Sequence, residues 1–296
     1  MRCGVASAVL AGIVACIAYC VLRGERQLES KGSGAYKLGS GKMFDSIAPR
    51  YDLINKVMSL GLDMRWRRAM VEGLQLRAGD RVVDIATGTA DVAIMVAEEL
   101  AKLEGAAGSV PERAFPGVIG IDPSARMLEV GREKLAEAGL SSRVVLQIGD
   151  AQDLAEVADG SVDKLTMAFG IRNVPDRLKA LREIRRIMAT PAPPAAAAAA
   201  GQGAGAAEGV DGEADARASS TSSAASSIVA ILELQDPETG LLASASRAFI
   251  KHGAPVLGWM MSGSGAEYGH LKNSILNFPS TSEWTALMAE AGKAFP

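Results

Sequence analysis

Cysteine and histidine are scarce in this sequence of 296 residues. The three cysteines, Cys3, Cys16 and Cys20, all lie within the first 20 residues, so no two residues later in the chain can form a disulfide. The only histidines are His252 and His270, and no cluster of Cys and His has the spacing of zinc ligands. A metal site would depend on carboxylates, and these show no recognisable ligand pattern, so we expect none.

An excess of positive charge is also absent. The 34 aspartate and glutamate residues outnumber the 31 lysine and arginine residues, which gives a formal net charge of −3, and there is no long basic stripe. Nucleic acid is therefore not an expected partner. Apolar residues are plentiful at 48%, enough for the core of one large domain or two small ones.

A long hydrophobic run lies near the N-terminus. Residues 5–22 contain no charged side chain, and their length is close to what a membrane-spanning helix needs. A cleaved targeting signal has a similar composition, so both a retained anchor and a removed signal remain open. Residues 30–42 are rich in Gly, Ser and Lys, as linkers are. We therefore expect residues 1–42 to be a targeting or membrane-anchor segment plus linker.

From residue 43 onwards, short apolar runs alternate with amphipathic stretches. Five strands are predicted, at residues 81–85, 118–121, 144–148, 164–169 and 228–234. Helices are predicted at residues 91–102, 124–138, 175–188 and 282–291. Ser124 should cap the second of these helices. Strands and helices that alternate in this way form a mostly parallel sheet covered on both faces, so we expect a Rossmann-like, doubly wound α/β domain.

Residues 190–227 break this alternation. The segment is rich in Ala, Gly, Ser and Pro and contains no aromatic residue. It therefore has too little apolar surface to offset the entropy that is lost when a chain becomes ordered. We predict a disordered low-complexity insertion within a single domain that spans residues 43–296.

The turn after the first predicted strand has the residues of a ligand-binding loop. Asp84 ends the strand, and Gly88 and Thr89 precede a helix whose first N–H groups can bind a ligand. Dinucleotide-binding folds carry three glycines here, as G-x-G-x-x-G, whereas this turn has one. Asp84 and Asp91 would repel a pyrophosphate and attract a ligand that carries an ammonium and a sulfonium group.

Acids also follow the next two predicted strands. Asp122 ends the second strand, where a carboxylate can accept hydrogen bonds from both hydroxyl groups of a ribose. Asp150 and Ala151 follow the third strand, where Asp150 can accept a hydrogen bond from an adenine amino group. The carboxyl ends of neighbouring parallel strands meet at one edge of a sheet, so these residues predict one crevice. A single Asp after a strand usually serves only to form a turn. Acids after three consecutive strands are less easily explained as three unrelated turn formers, so a shared ligand site is favoured.

Two longer motifs resemble a known family. Residues 51–66, YDLINKVMSLGLDMRW, resemble the N-terminal signature of the ubiquinone/menaquinone biosynthesis C-methyltransferases (the UbiE family), which runs Y-D-x-M-N, then S and H, then W. Residues 169–174, FGIRNV, resemble the F-G-x-R-N-V motif of the same family. The resemblance extends over about residues 43–188 and 228–292 and implies a class I S-adenosylmethionine-dependent methyltransferase.

The resemblance implies methyl transfer to a ring carbon of a polyprenylated benzoquinol or naphthoquinol, in the biosynthesis of ubiquinone or of menaquinone/phylloquinone. S-Adenosylmethionine is the implied cofactor, and no metal is needed. Arg172 is implied in stabilising a developing oxyanion or activating a water, and Asn173 in orienting the same oxygen or the cofactor. Tyr51, Asn55 and Trp66 would belong to a helical lid, although a helix that only packs on the sheet remains an alternative.

A polyprenyl substrate also requires contact with a membrane surface, whether or not residues 5–22 form an anchor. The resemblance implies an organelle membrane, with the mitochondrial inner membrane first and a plastid membrane as the alternative. A quinone-biosynthesis complex is a further implied partner.

Several positions depart from the family pattern, Asp63 and Ala90 among them. Asp63 stands where the signature has His, and Ala90 replaces the third residue of a G-T-G turn, where an added methyl group would crowd the cofactor. Three alternative functions therefore stay open. They are a nucleotide-dependent oxidoreductase on a similar sheet, a non-catalytic cofactor-binding scaffold of a quinone-synthesis complex, and a methyltransferase for another small lipophilic substrate.

Overall fold

The computed structural model of the protein describes residues 39, 41–107, 117–188, 227–235, 270 and 273–293. The hydrophobic run at residues 5–22 and residues 190–226 of the predicted insertion lie outside the described residues, so both stay predictions. None of the helices that the structure describes is long and apolar enough to cross a membrane.

The five predicted strands form one sheet in which every neighbouring pair is parallel. In chain order they are β1 (Val82–Ile85), β2 (Val118–Asp122), β3 (Val144–Ile148), β4 (Lys164–Ala168) and β5 (Ile228–Leu232). Across the sheet the order is β3-β2-β1-β4-β5, so the chain moves outwards from β1 and then returns to place β4 on its other side. This order confirms the predicted doubly wound sheet, whose switch point lies between β1 and β4.

Helices follow the strands as predicted, with shifted ends. The described α-helices are α1 (Lys42–Ile47), α2 (Tyr51–Met58), α3 (Asp63–Gly73), α4 (Asp91–Ala107), α5 (Ala125–Glu137), α6 (Arg177–Ile187) and α7 (Thr281–Lys293). Short 3₁₀ turns lie at Ala48–Arg50 and Ile171–Asn173. The predicted cap is confirmed, because the Ser124 hydroxyl accepts a 3.2 Å hydrogen bond from the Met127 N–H at the start of α5.

Both faces of the sheet are covered by apolar side chains. Val83 of β1 belongs to a buried cluster with Leu181 of α6 and Ala291 of α7. Val82, the residue before it, belongs to the opposite cluster with Leu100 of α4. Neighbouring residues of a strand face opposite ways, and here both faces are buried, which explains why β1 is a continuous apolar run interrupted only by Asp84.

Close contacts hold α1 at the carboxyl end of the sheet. Gly41, which precedes α1, has a φ of 72°, and a Cβ atom there would stand 2.6 Å from the carbonyl oxygen of Pro123. Glycine therefore meets two requirements at this position, left-handed backbone and close approach to the turn after β2. The carboxylate of Asp45 accepts a 2.6 Å hydrogen bond from the hydroxyl of Ser124. These contacts place the N-terminal helices beside the strand ends where the ligand residues were predicted.

Candidate active site

A cleft of about 860 Å³, partly open to solvent, lies at the carboxyl ends of the strands, and we call it the first chamber. Its lining includes four of the residues predicted to bind a cofactor, namely Gly88, Asp122, Asp150 and Ala151. They come from the turn after β1, the last residue of β2 and the turn after β3, which the parallel sheet brings to one edge.

Asp122 is the most restrained carboxylate of the first chamber. Its two oxygens accept hydrogen bonds from the backbone N–H groups of Gly88 (2.9 Å) and Ser124 (2.8 Å). Burial nevertheless raises the pKa of Asp122 to about 6, and the negative charge of Asp45 contributes to this rise. The backbone bonds fix the direction of the carboxylate, so the turns after β1 and β2 are joined at the ligand cleft.

Asp150 and Ala151 line another part of the first chamber. The carboxylate of Asp150 is exposed and accepts hydrogen bonds from Gln152, one from the backbone N–H at 2.9 Å and others from the side-chain amide. Ala151 is buried beside it. The pair therefore offers a polar edge next to an apolar surface, which suits a flat heterocycle with an amino group.

Asp84 does not line the first chamber, although the sequence placed it among the cofactor residues. Its side chain is buried beneath the turn after β1, where one oxygen accepts a 2.6 Å hydrogen bond from the Thr87 hydroxyl and the other a 2.7 Å bond from the Thr166 hydroxyl. Burial raises its pKa to about 6. In this geometry Asp84 ties the turn to β4, and direct contact with a cofactor stays a prediction.

Thr89 also lies outside the lining of the first chamber. Its hydroxyl donates a 2.7 Å hydrogen bond to the carboxylate of Asp52 on α2. The ammonium group of Lys134 on α5 donates to the same carboxylate at 3.0 Å and to the Thr89 hydroxyl at 3.3 Å. Thr89, which precedes α4, therefore connects α2 to the rest of the domain through its hydrogen bond with Asp52.

A second chamber of about 450 Å³ adjoins the first. The two share lining residues, Met43, Phe44, Tyr51, Asn173 and His270. The second chamber adds apolar side chains of α1 and α2, together with Asn55, Arg172 and Ser274. Tyr51 and Asn55, both predicted to cover the site, therefore lie at the second chamber, and Tyr51 also borders the first.

Trp66 lies apart from both chambers, although it was predicted to belong to the same lid. Its ring meets the ring of Phe169 edge-on, with 6.4 Å between the centroids, and 38% of the residue is exposed. Phe169 itself lines the first chamber. Trp66 thus reaches the site only through Phe169.

Arg172 is held by a buried ion pair with Glu233, the residue that follows β5. Both side chains are only 7% exposed. Glu233 also accepts a 3.2 Å hydrogen bond from the backbone N–H of Arg172. The Nε–H of Arg172 is buried without a hydrogen-bond partner within the described part of the chain. No sequence pattern predicted an ion pair between Glu233 and Arg172, and only the fold brings the two side chains together.

His270 is a site residue that the sequence argument did not identify. Its Nε2 lies 3.0 Å from the side-chain oxygen of Asn173, and it lines both chambers. Burial lowers the pKa of His270, and the positive charge of Arg172 lowers it further, so the imidazole is neutral at neutral pH. A usable signal was present, because histidine is so scarce in this chain that each of the two was worth testing as a site residue.

Comparison with known proteins decides the family. Residues 33–192 and 224–295 match the ubiE/COQ5 methyltransferase family, a match that includes both motifs that carried the resemblance. The chain belongs to this family. Together with the sheet order, this membership confirms the predicted methyltransferase and its fold.

Curated relatives resemble this methyltransferase over most of its length. The ubiquinone/menaquinone biosynthesis C-methyltransferase UbiE of Geotalea uraniireducens is 33% identical over 251 residues, covering 85% of this chain and 86% of the relative. The demethylmenaquinone methyltransferase of Thermus thermophilus is 32% identical, with 84% and 90% covered. The protein of the same name from Deinococcus radiodurans is 32% identical, with 85% and 83% covered.

Ala90, the departure in the G-T-G turn, lies in the core of this methyltransferase. Ala90 is fully buried in the apolar cluster of Val82 and lies outside the lining of the first chamber. Its φ of 67° keeps the left-handed backbone that a glycine would favour, at a cost of about 1 kcal/mol. The methyl group packs in the core, and the expectation that it would crowd the cofactor stays a prediction.

Within the described ranges of this methyltransferase, no group of three or more His, Cys, Asp and Glu side chains is placed to hold a metal ion.

Proposed function

We propose that the protein transfers a methyl group from S-adenosylmethionine to a ring carbon of a polyprenylated benzoquinol or naphthoquinol. The reaction belongs to the biosynthesis of ubiquinone or of menaquinone/phylloquinone. The observation that carries the proposal is the pair of adjoining chambers, which share Tyr51, Asn173 and His270. One chamber has the carboxylates for a cationic nucleoside, and the other is mainly apolar.

The donor set of the first chamber fits S-adenosylmethionine better than it fits a dinucleotide. Asp122 and Asp150 contribute two carboxylates, and none of its described lining residues is Lys or Arg. A pyrophosphate would thus meet negative charge with no side-chain cation to balance it, whereas a sulfonium and an ammonium would meet complementary charge. Asp122 would accept the ribose hydroxyls and Asp150 the adenine amino group, beside Gly88 and Ala151.

The second chamber fits a prenylated quinol. Met43, Ile47, Ile54 and Met58 give it apolar walls, and two of its polar residues, Asn173 and His270, lie where it meets the first chamber. A flat ring with hydroxyl groups can face Asn173 and His270 while an apolar tail lies between α1 and α2. The orientation follows from chemistry, since each part of the substrate then meets groups of matching polarity.

The side chains at the shared wall can hold the proton and charge of a quinol. S-Adenosylmethionine, when bound, supplies an electrophilic methyl group. A ring carbon becomes a competent nucleophile once a ring hydroxyl loses its proton. In the tautomer that donates Nε2–H to Asn173, Nδ1 of His270 is the acceptor for that proton. Arg172 lies at the same chamber and would stabilise the oxyanion, as the family resemblance implies.

The domain organisation, cellular location and partners of the enzyme are proposed from the sequence. Residues 43–296 would form the methyltransferase domain, with residues 190–227 as a disordered insertion and residues 1–42 as a targeting or anchor segment plus linker. The substrate tail requires a membrane surface. We place the enzyme at an organelle membrane, the mitochondrial inner membrane first and a plastid membrane second, with a quinone-biosynthesis complex as a further partner.

Complementation tests this function. The full chain, expressed in a strain that lacks its own quinone C-methyltransferase, should restore the C-methylated quinone in lipid extracts analysed by mass spectrometry. The Asp122→Ala variant should not, because it lacks the carboxylate that would accept the ribose hydroxyls. Persistence of the unmethylated precursor, in cells that contain the folded protein, would refute the proposal.

A further inference from the structure

An exposed apolar surface lies on α2, α3 and the turn between them. It consists of Leu53, Val57, Leu60, Leu62 and Trp66, and we call it the apolar strip. Leu60 is 87% exposed and Leu53 58%. These five residues lie within 14 positions of sequence, whereas the rest of the described chain contributes only four large exposed apolar residues. Clustering of this kind marks an interaction surface, since single exposed apolar residues are ordinary.

Leu60 and Gly61 form the turn at the centre of the strip, and hydrogen bonds restrain the conformation of this turn. Leu60 has a φ of 53°, a conformation that is uncommon for a residue other than glycine, and Gly61 continues it with a φ of 77°. The Gly61 N–H donates a 2.7 Å hydrogen bond to the Lys56 carbonyl, which closes α2. The Ser59 hydroxyl donates to the carboxylate of Asp63 at 2.8 Å. These polar groups of the turn are therefore hydrogen-bonded within the segment from α2 to α3, while the Leu60 side chain is exposed to solvent.

Exposed charge between residues 53 and 68 has one sign. Lys56, Arg65 and Arg68 are exposed, whereas the acid of this segment, Asp63, is buried and paired with Arg67 at 3.2 Å. This concentration of cations contrasts with the net charge of −3 for the chain. Apolar side chains with lysine and arginine beside them are the usual composition of a surface that rests in the headgroup region of an anionic bilayer.

The strip lies on the outer side of the helix that walls the second chamber. Ile54, Asn55 and Met58 of α2 line that chamber, whereas Leu53 and Val57 of the same helix are exposed. A helix is about 10–12 Å across with its side chains, so a bilayer that contacted the strip would lie that far from the chamber.

We propose that the apolar strip docks the folded domain on an anionic lipid surface, so that an apolar tail can pass beside α2 into the second chamber. The entry route rests on the proposed quinol substrate, whereas the docking itself does not. Contact with lipid would bury the five side chains and bring Lys56, Arg65 and Arg68 to the headgroups. The strip is separate from residues 5–22, so it would act even where that segment is removed.

The docking is tested by comparing a fluorescent dye attached inside the apolar strip with the same dye attached at a distant exposed position. In the full chain with Cys3, Cys16 and Cys20 replaced by Ser, one cysteine is placed either as Leu60→Cys or, as the matched control, as Val145→Cys. Val145 is also exposed, on the edge strand β3. Each protein carries an environment-sensitive dye and is mixed with brominated phosphatidylcholine vesicles, with and without phosphatidylglycerol.

The dye at position 60 should be quenched when phosphatidylglycerol is present, less so at high salt, and the dye at position 145 should not. Quenching at neither position, or equally at both, would overturn the proposal. Shielding of position 60 without vesicles, with a doubled particle mass, would assign the strip to a second copy of the chain and overturn it too.

A variant separates the docking from the chemistry. Leu60→Asp, at an exposed position, should weaken binding to the anionic vesicles about tenfold, because an apolar contact is replaced by a like charge to the headgroups. The Leu60→Asp variant should have a higher KM for a long-tailed quinol presented in vesicles. Its KM for a short-tailed, soluble quinol should be the same as that of the unmutated protein. Equal KM changes for both quinols would contradict the entry route. If the unmutated protein methylates neither quinol, the proposed function is refuted. The dye experiment still shows, independently, whether the apolar strip binds the anionic vesicles.

Discussion

Arg172→Ala should lower the free energy of unfolding by about 3–5 kcal/mol, because it leaves Glu233 as a buried carboxylate without its counter-charge. Both members of this pair are 7% exposed, so solvent offers little compensation. Turnover should also fall about 100- to 1000-fold if Arg172 stabilises an oxyanion in the transition state. Denaturant unfolding and steady-state kinetics, measured well below the unfolding midpoint, report the two effects separately.

A double variant distinguishes a catalytic role of Arg172 from a structural one. Arg172→Met combined with Glu233→Gln removes both charges and keeps one oxygen, which can accept the backbone N–H of Arg172 or that of Leu234, whereas the carboxylate accepts one with each oxygen. Stability should partly return, because no buried carboxylate is left without Arg172, although Arg177 loses the nearby charge of Glu233. We expect turnover to stay low while affinity for S-adenosylmethionine remains normal. Turnover that recovered together with stability would remove Arg172 from the chemistry and leave it as a support for the fold.

Asp122→Asn should weaken binding of S-adenosylmethionine by about 2–4 kcal/mol, because the negative charge that strengthens the hydrogen bonds to both ribose hydroxyls would be lost and one acceptor oxygen would become a donor. Calorimetry with the folded variant measures this directly. Asp153→Asn is the matched control, since Asp153 is an exposed carboxylate one turn beyond Asp150 and does not line the first chamber. Unchanged affinity in Asp122→Asn would refute the ribose assignment.

The pH dependence of binding follows from the same residue. In the free protein the pKa of Asp122 is raised to about 6 by burial, and hydroxyl donors from a ribose would favour its charged form. The complex therefore binds fewer protons at this group than the free protein does. Affinity should be constant above the raised pKa and fall as the pH drops through about 6. The decrease should be smaller in Asp122→Asn, which lacks this titration.

Local sequence patterns were sufficient for the sheet and for part of the crevice. Apolar runs separated by amphipathic stretches predicted the five strands, and the strand-end positions of Asp122 and Asp150 predicted that both would reach one cleft. Asp84 was predicted at the same crevice, and the structure shows it in β1 beside Thr166 of β4, hydrogen-bonded to the Thr166 hydroxyl and outside the lining of the first chamber. Position at a strand end does not specify which way a side chain faces, because that direction alternates along a strand.

The remaining site contacts join residues that are far apart in sequence. Arg172 and Glu233 are 61 positions apart, and Asn173 and His270 are 97 apart. No periodicity links such residues, so only the fold brings them together. Trp66 lies in a family motif near Tyr51, but in the structure its ring contacts Phe169 and does not line the second chamber. Nearness in sequence to Tyr51 was not enough to place it at the same chamber.

Transfer of an isotope-labelled methyl group tests the central claim most directly. The full chain is incubated with S-adenosylmethionine labelled at the sulfonium methyl and with a benzoquinol or naphthoquinol that lacks one ring methyl, and the products are examined by NMR and mass spectrometry. We predict that the label appears on a ring carbon of one of these quinols. A protein that binds S-adenosylmethionine but leaves both rings unlabelled, or that places the label on a ring oxygen, would contradict the account.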